Sequence, residues 1–299
     1  AAARVVEELE SSKVQITPET LVDVACISAN GDRELGEIIS RAINRVGPDG
    51  AVSVQEAKGY DTSLSVVDGT FIDRGYESPY FVTDTAKQIA ELDSPYILIV
   101  NDDLTAVTPL VPVLEYIAAK GESLLIVCNA VGGEALQALV LNRVKGGLKV
   151  CVIKSPEFAS ARVTALQDLA SLVGGAVITD SKEVIKKEEL DNVLGKVKSA
   201  TVTSKTTLLF GTNQNDTVKA NQESAKSTLE NPVASLDDKK IAERRLRRLS
   251  DGIAVLQVGG ATEAEMIEKR DRVDDAIHAA KAALREGVQP GGGVALARA

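Results

Sequence analysis

Apolar positions recur along this chain with two different periods, and the change from one to the other divides it. Val5, Val6 and Leu9 share one helical face. Thr17-Pro18-Glu19 reads as an N-cap, a proline at the first helical position and an acidic first turn, predicting a helix through Leu21, Val22 and Ala25. Asp32 opens a third helix with Leu35, Ile38, Ile39, Ala42, Ile43 and Val46 at helical spacing. Gly47-Pro48-Asp49-Gly50 stops it, and strand-like runs follow at Ala51 to Val54 and Leu64 to Val67. From about Gly69 short β-branched runs alternate with helix-length segments. The runs are Tyr96 to Val100, Ser123 to Cys128, Lys149 to Lys154 and Ala176 to Thr179. The segments are Val107–Lys120, Gly133–Val144 and Ala159–Leu172. Near-continuous apolar strands separated by helices predict a mainly parallel sheet flanked by helices.

Farther on, Lys198 to Gly211 reads as a polar strand pair and Asn213 to Glu230 as a polar helix. Ser235 and Asp238 make a capping-box variant opening a helix that Gly252 ends. Its run Arg244, Arg245, Arg247, Arg248 is expected to complement the helix macrodipole on a solvated face, with an anion site as the alternative. Ile253 to Val258 is a strand. Thr262 and Glu265 cap a long helix with Met266, Val273, Ile277, Ala280 and Leu284 on one stripe, ending at Gly287. The expected class is therefore α/β, or mixed α+β.

The chain has 299 residues, 44% hydrophobic and 26% charged, enough for two compact units. No run of 18 apolar residues exists, so no membrane helix is expected. The first ten residues carry acidic side chains and no continuous apolar core, unlike a secretory signal; starting without Met, they are read as a processed or truncated end. A net charge of −9 and 3% aromatic content argue against nucleic acid as a partner. Cys26, Cys128 and Cys151 lie in apolar stretches without CxxC spacing and read as buried free thiols in a reducing compartment. His278 is the single histidine, so neither a zinc cluster nor a histidine-based triad is expected, and no metal site is assigned. No glycine-rich phosphate loop follows the strands, and Gly132-Gly133 alone is a weak signal.

Two helical segments carry apolar residues on both sides: Val111-Pro112-Val113-Leu114-Glu115-Tyr116-Ile117, and the segment with Leu136, Leu139, Val140 and Leu141. Such a helix is either fully buried or shows an exposed patch, and periodicity leaves both open.

Several blocks together resemble the group I (GroEL-type) chaperonins. They are Ile27-Ser28-Ala29-Asn30; Phe71-Ile72-Asp73-Arg74-Gly75-Tyr76-Glu77-Ser78-Pro79-Tyr80-Phe81; Ala261 to Met266; Arg272 to Ala279; and Gly291-Gly292-Gly293-Val294-Ala295-Leu296. Order and spacing match over essentially the whole chain. The resemblance implies an apical polypeptide-binding domain, residues 69–252, inserted into a smaller α/β intermediate domain made of residues 14–68 and 253–286. Residues 1–13 and 287–299 would be remnants of an equatorial domain otherwise missing, the last with a glycine loop.

The resemblance also implies roles. Tyr76, Tyr80, Phe81, Val111, Leu114, Leu136, Val140 and Leu141 would line an exposed groove for unfolded polypeptides and for a co-chaperonin lid. Asp275 matches a catalytic aspartate and Gly292 a nucleotide-side glycine, serving ATP and Mg2+ in the full-length subunit, with neither expected on this chain alone. Gly69, Gly252 and Gly287 would be hinges. Asp32 with Arg272, and Arg74 with Glu263 of a neighbouring subunit, would be latches; surface pairs of ~0–1 kcal/mol bias an equilibrium rather than lock it. Sevenfold rings and a cytoplasmic location are implied in the same way. Departures from the family pattern are Glu157-Phe158-Ala159-Ser160-Ala161-Arg162 for a GFGDRR-like run, Asn129-Ala130-Val131-Gly132 for a more acidic stretch, Lys145 for a common arginine and Val14 for a common proline. They suggest a divergent member, phage-encoded or a paralogue. Rival readings are a standalone polypeptide-binding module without ATPase activity and a small-molecule α/β enzyme with a titratable pocket at the sheet's carboxyl edge.

Overall fold

The computed structural model describes residues 2–47, 50, 52–57, 59–181, 185–250, 252–291 and 293–295, with the side chains of 2–4, 7, 18, 160 and 250 left out. The chain begins with α1 (Ala2–Ser12), α2 (Pro18–Ser28) and α3 (Arg33–Val46), then β1 (Val52–Glu56) and β2 (Ser63–Val67). Next come β3 (Gly69–Ile72), β4 (Ala90–Asp93), β5 (Tyr96–Val100), β6 (Asp103–Leu104), α4 (Val111–Lys120), β7 (Leu124–Cys128), β8 (Ala130–Val131) and α5 (Gly133–Val144). They are followed by β9 (Val150–Lys154), α6 (Ala159–Val173), β10 (Val177–Ile178), α7 (Leu190–Val193), β11 (Gly195–Lys196), β12 (Ser199–Val202), β13 (Thr207–Phe210), α8 (Asp216–Glu230) and α9 (Leu236–Ser250). β14 (Ile253–Val258) and α10 (Glu263–Glu286) close the chain.

These elements form two compact units: residues 1–67 with 252–299, and residues 68–251. In the first, β14 lies between β1, to which it runs parallel, and β2, antiparallel to it. Leu64, Ala254, Leu256 and Val258 pack with Leu35, Ile39 and Ile43 of α3 and Val273, Ile277 and Ala280 of α10 in one apolar core. The capping expected at both helices is present: Thr17 and Thr20 cap each other at α2, and Thr262 accepts from the Glu265 amide at α10. Val14 and Val288 exchange two backbone bonds of 2.9 Å, fastening the segment before α2 to the end of α10.

In the second unit the parallel order β10-β5-β7-β9 is bordered by β11, antiparallel to β5. All five residues of β7 are buried, as strands covered on both faces must be. A second, antiparallel sheet runs β3-β13-β12-β4. The mixed α/β class expected from the alternation is thus what the chain folds into.

The arginine run of α9 corrects an expectation. Arg245 grips Asp168 of α6 through two bonds, 2.8 and 3.0 Å, and Asp168 is 1% exposed. Arg248 is buried, and together with Arg244 it binds Glu157. These residues stitch α9 to α6 and to the loop before it. A solvated face was expected because the partners lie far away in sequence.

Candidate functional site

In α5, Ala135 and Leu139 face the core, Leu136 and Val140 are half-buried against it, and Leu141 and Val144 stand 52% and 63% exposed. In α4, Val113, Leu114 and Ile117 are buried, whereas Val111 is 39% exposed. Both helices therefore carry the surplus apolar surface that their pattern suggested.

Beside α4 opens a cavity of about 400 Å3. One wall is Val107, Val111, Leu114, Glu115 and Ala118, a stripe at helical spacing running down from the turn before α4. The other wall is Asn142 with Gly146, Gly147, Leu148 and Lys149, and Gly121 and Glu122 close one end. Gly147, at φ +67°, has open space where a side chain would stand, so the backbone itself forms the wall. The rim is charged but compensated: Glu115 pairs with Lys187 at 3.0 Å and Glu122 with Lys196 at 3.0 Å. Beside the rim, Lys120 donates to the hydroxyls of Tyr116 and, at 2.9 Å, Tyr96, which pushes its pKa upward. Glu122 raises Lys196 in the same way. The trough thus joins an apolar stripe on α4 to a lining that also holds Glu115, Glu122, Asn142 and Lys149.

The expected groove residues divide. Val111 and Leu114 line the cavity; Tyr80 and Leu141 are exposed apolar surface outside it, 67% and 52% accessible. Tyr76, Leu136 and Val140 are half-buried against the core. Phe81 is corrected: it is 0% exposed and belongs to the core, not to a groove. It follows Tyr80 in a short 3-10 turn, Pro79–Phe81, where one aromatic must point in when its neighbour points out. Sequence reasoning missed Val107, Ala118, Asn142 and the Gly146–Lys149 wall. Val107 and Ala118 extend the Val111–Leu114 stripe by one turn each way, a signal available in the spacing.

Asp275 lies exposed on α10, and Gly292 lies outside the described residues. Among the described residues no three His, Cys, Asp or Glu converge to hold a metal. One exposed carboxylate does not by itself hold a triphosphate and its metal. Asp32 caps α3, accepting from the Leu35 amide at 3.1 Å, while Arg272 pairs with Glu268. That pair raises Arg272, and the charge of Asp32 adds to the effect. Arg74 sits 3.5 Å from Asp73 and over the Phe158 ring; Glu263 is exposed in the first turn of α10. Gly69 is buried in β3, paired with Phe210. A side chain at Gly252 would meet the Val67 carbonyl at 2.9 Å, and one at Gly287, at φ +82°, the Val14 carbonyl at 2.9 Å. Both glycines are thus required by close packing as well as by any hinge.

Cys128 and Cys151 are buried, and burial pushes both thiols up to about 12. They hold their protons and are inert, as read from their apolar surroundings. At the sheet's carboxyl edge, the cavity lined by Val100, Leu104, Ile178, Asp180 and Ser181 is about 10 Å3, room for one water at most. No helix among the described residues is long and apolar enough to cross a membrane. A scan against protein-family models matches the TCP-1/cpn60 chaperonin family over residues 1–299.

Proposed function

The chain belongs to the TCP-1/cpn60 chaperonin family, whose members assist protein folding as oligomeric rings that bind unfolded polypeptides, and on that premise we propose that the α4 trough is where this chain takes them. The observation that supports the reading is the open cavity along Val107, Val111, Leu114 and Ala118, with exposed Leu141 and Val144 on neighbouring α5. Non-native chains have one thing in common, exposed apolar surface, and its burial is non-directional. Burying a few hundred Å2 at ~25 cal/mol per Å2 gives several kcal/mol without sequence specificity. Ordering losses leave each site weak. A ring of such sites makes binding strong by multivalency.

In this reading the chain is the apical and intermediate part of a group I-type subunit, residues 69–252 within 14–68 and 253–286. ATP and Mg2+ act in an equatorial part outside it, with Asp275 and Gly292 contributing from this side. A co-chaperonin lid competes for the same apolar surface, the assembly is a sevenfold ring, and the location is cytoplasmic. The Asp32–Arg272 and Arg74–Glu263 pairs and the Gly69, Gly252 and Gly287 hinges belong to this proposal.

The test pairs capture with turnover. Chemically denatured protein is diluted into this chain and aggregation is followed by light scattering, with ATP hydrolysis measured alongside. Suppressed aggregation without hydrolysis is expected, and Val111→Glu with Leu141→Glu should abolish the suppression while the melting temperature holds. Undiminished suppression by that double variant would overturn the site; robust hydrolysis by this chain would overturn the placement of the ATP chemistry.

A further inference from the structure

The connection from β9 to α6 contains two residues whose backbone is left-handed although neither is glycine: Glu157 at φ +63° and Ala159 at φ +50°. In that region Cβ crowds the adjacent carbonyl, and only Asn or Asp commonly relieves this with its own side chain. Alanine offers no such relief, and Phe158 between the two caps α6 without any side-chain hydrogen bond. Something else holds the loop in place.

That something is charge from α9. Glu157 Oε1 accepts from Arg244 Nε at 2.8 Å and from Arg248 Nη2 at 3.2 Å. The Glu157 and Arg248 side chains are 17% and 8% exposed, so water competes poorly for them. Among the described residues Arg248 Nη1 has no hydrogen-bond partner, so Glu157 carries the anchorage of that guanidinium. The Arg248 carbonyl accepts from Thr70 Oγ1 at 2.9 Å, fixing this turn of α9 to β3.

We propose that Glu157 is the catch of a strained latch that seats the last turns of α9 on the β9–α6 loop. With the catch closed, the loop presents Phe158, 74% exposed, beneath the Arg74 guanidinium at 5.1 Å from the ring centre. With it open, Glu157 and Ala159 relax to right-handed or extended backbone, and Phe158 leaves Arg74. The opening is local, because Arg245–Asp168 and the packing of Leu249 on Leu172 and Val218 still hold α9.

Amide hydrogen exchange on the full chain, read by mass spectrometry over residues 155–163, tests it with Glu157→Gln, Ala159→Gly and the double variant. Glu157→Gln should raise loop exchange roughly tenfold, the ratio one left-handed residue is worth, with the parallel sheet unaffected. Ala159→Gly should lower it by a similar factor, and the double variant should return towards the parent. Unchanged exchange in Glu157→Gln, or faster exchange in Ala159→Gly as in an unstrained helix start, would overturn the latch. Should Glu157→Gln fail to fold, Arg244→Gln, whose side chain is 43% exposed, removes the shorter of the two bonds to Glu157 and should raise loop exchange in the same direction; unchanged exchange there would overturn the latch.

Discussion

Single residues separate holding the fold from holding a client. Phe81 and Val111 share one expected role, yet the first is sealed in the core and the second faces solvent. Phe81→Ala should therefore cost about 3–5 kcal/mol in chemical unfolding. Its effect on client capture should follow only from that lost stability. Asp168→Asn leaves Arg245 without its buried partner and should cost about 3 kcal/mol, read as a fall in melting temperature. The thiols give a pH dependence. Cys128 and Cys151 rise from 9.0 in the unfolded reference to about 12 when folded. Their contribution is complete below pH 9.0 and lost as pH climbs towards 12, because only the unfolded chain ionises there. Stability measured by denaturant titration should fall over that window, and Cys128→Ala should flatten part of the fall.

What could be read at this scale followed how local the cause is. Helical spacing within α4 and α5 showed more apolar surface than one buried face needs, but the exposed role of Val111 and Leu141 came from the family resemblance, since spacing left burial open. The partner of Arg245 lies 77 positions earlier, and nothing in the arginine run points to it. The inward turn of Phe81 was equally hidden, since Tyr80 and Phe81 are adjacent aromatics and only the 3-10 turn decides which is buried.

Among elements, α5 kept the boundaries its pattern drew, Gly133 to Val144, and α10 ended at Gly287 as expected. The trough was only half legible, because one of its walls is not an element. Gly146-Gly147-Leu148-Lys149 is a connection, placed by the pairing of β9 with β7 rather than by any periodicity. The two helices should respond differently to substitution. Leu141→Ser, on the exposed face of α5, should lower client affinity with little change in melting temperature. Leu114→Ser, 8% exposed, should lower both, with a stability loss of about 2–5 kcal/mol. Calorimetric melting beside a capture assay makes the distinction.

For the molecule as a whole, the unit of residues 68–251 is continuous in sequence, while the other is assembled from two segments. The alternation of strands and helices made that continuous stretch legible as one body. The joining of β1 and β2 to β14, nearly 200 positions later, is settled by the shared core on α3 and α10 and by no local signal. Residues 68–251 expressed alone should therefore fold cooperatively by circular dichroism and retain capture.

The central claim is that clients enter the trough beside α4 and do not merely stick to exposed apolar side chains. Val233, 89% exposed in the α8–α9 connection and lining a separate cavity of about 320 Å3, is the control because it is more accessible than Val111 at 39% and Leu114 at 8%. A photo-crosslinking amino acid placed at position 118 and, separately, at position 233 would be irradiated with a denatured client present. Crosslinks from 118 with few from 233 are predicted; equal yields, or yields from 233 alone, would contradict the account.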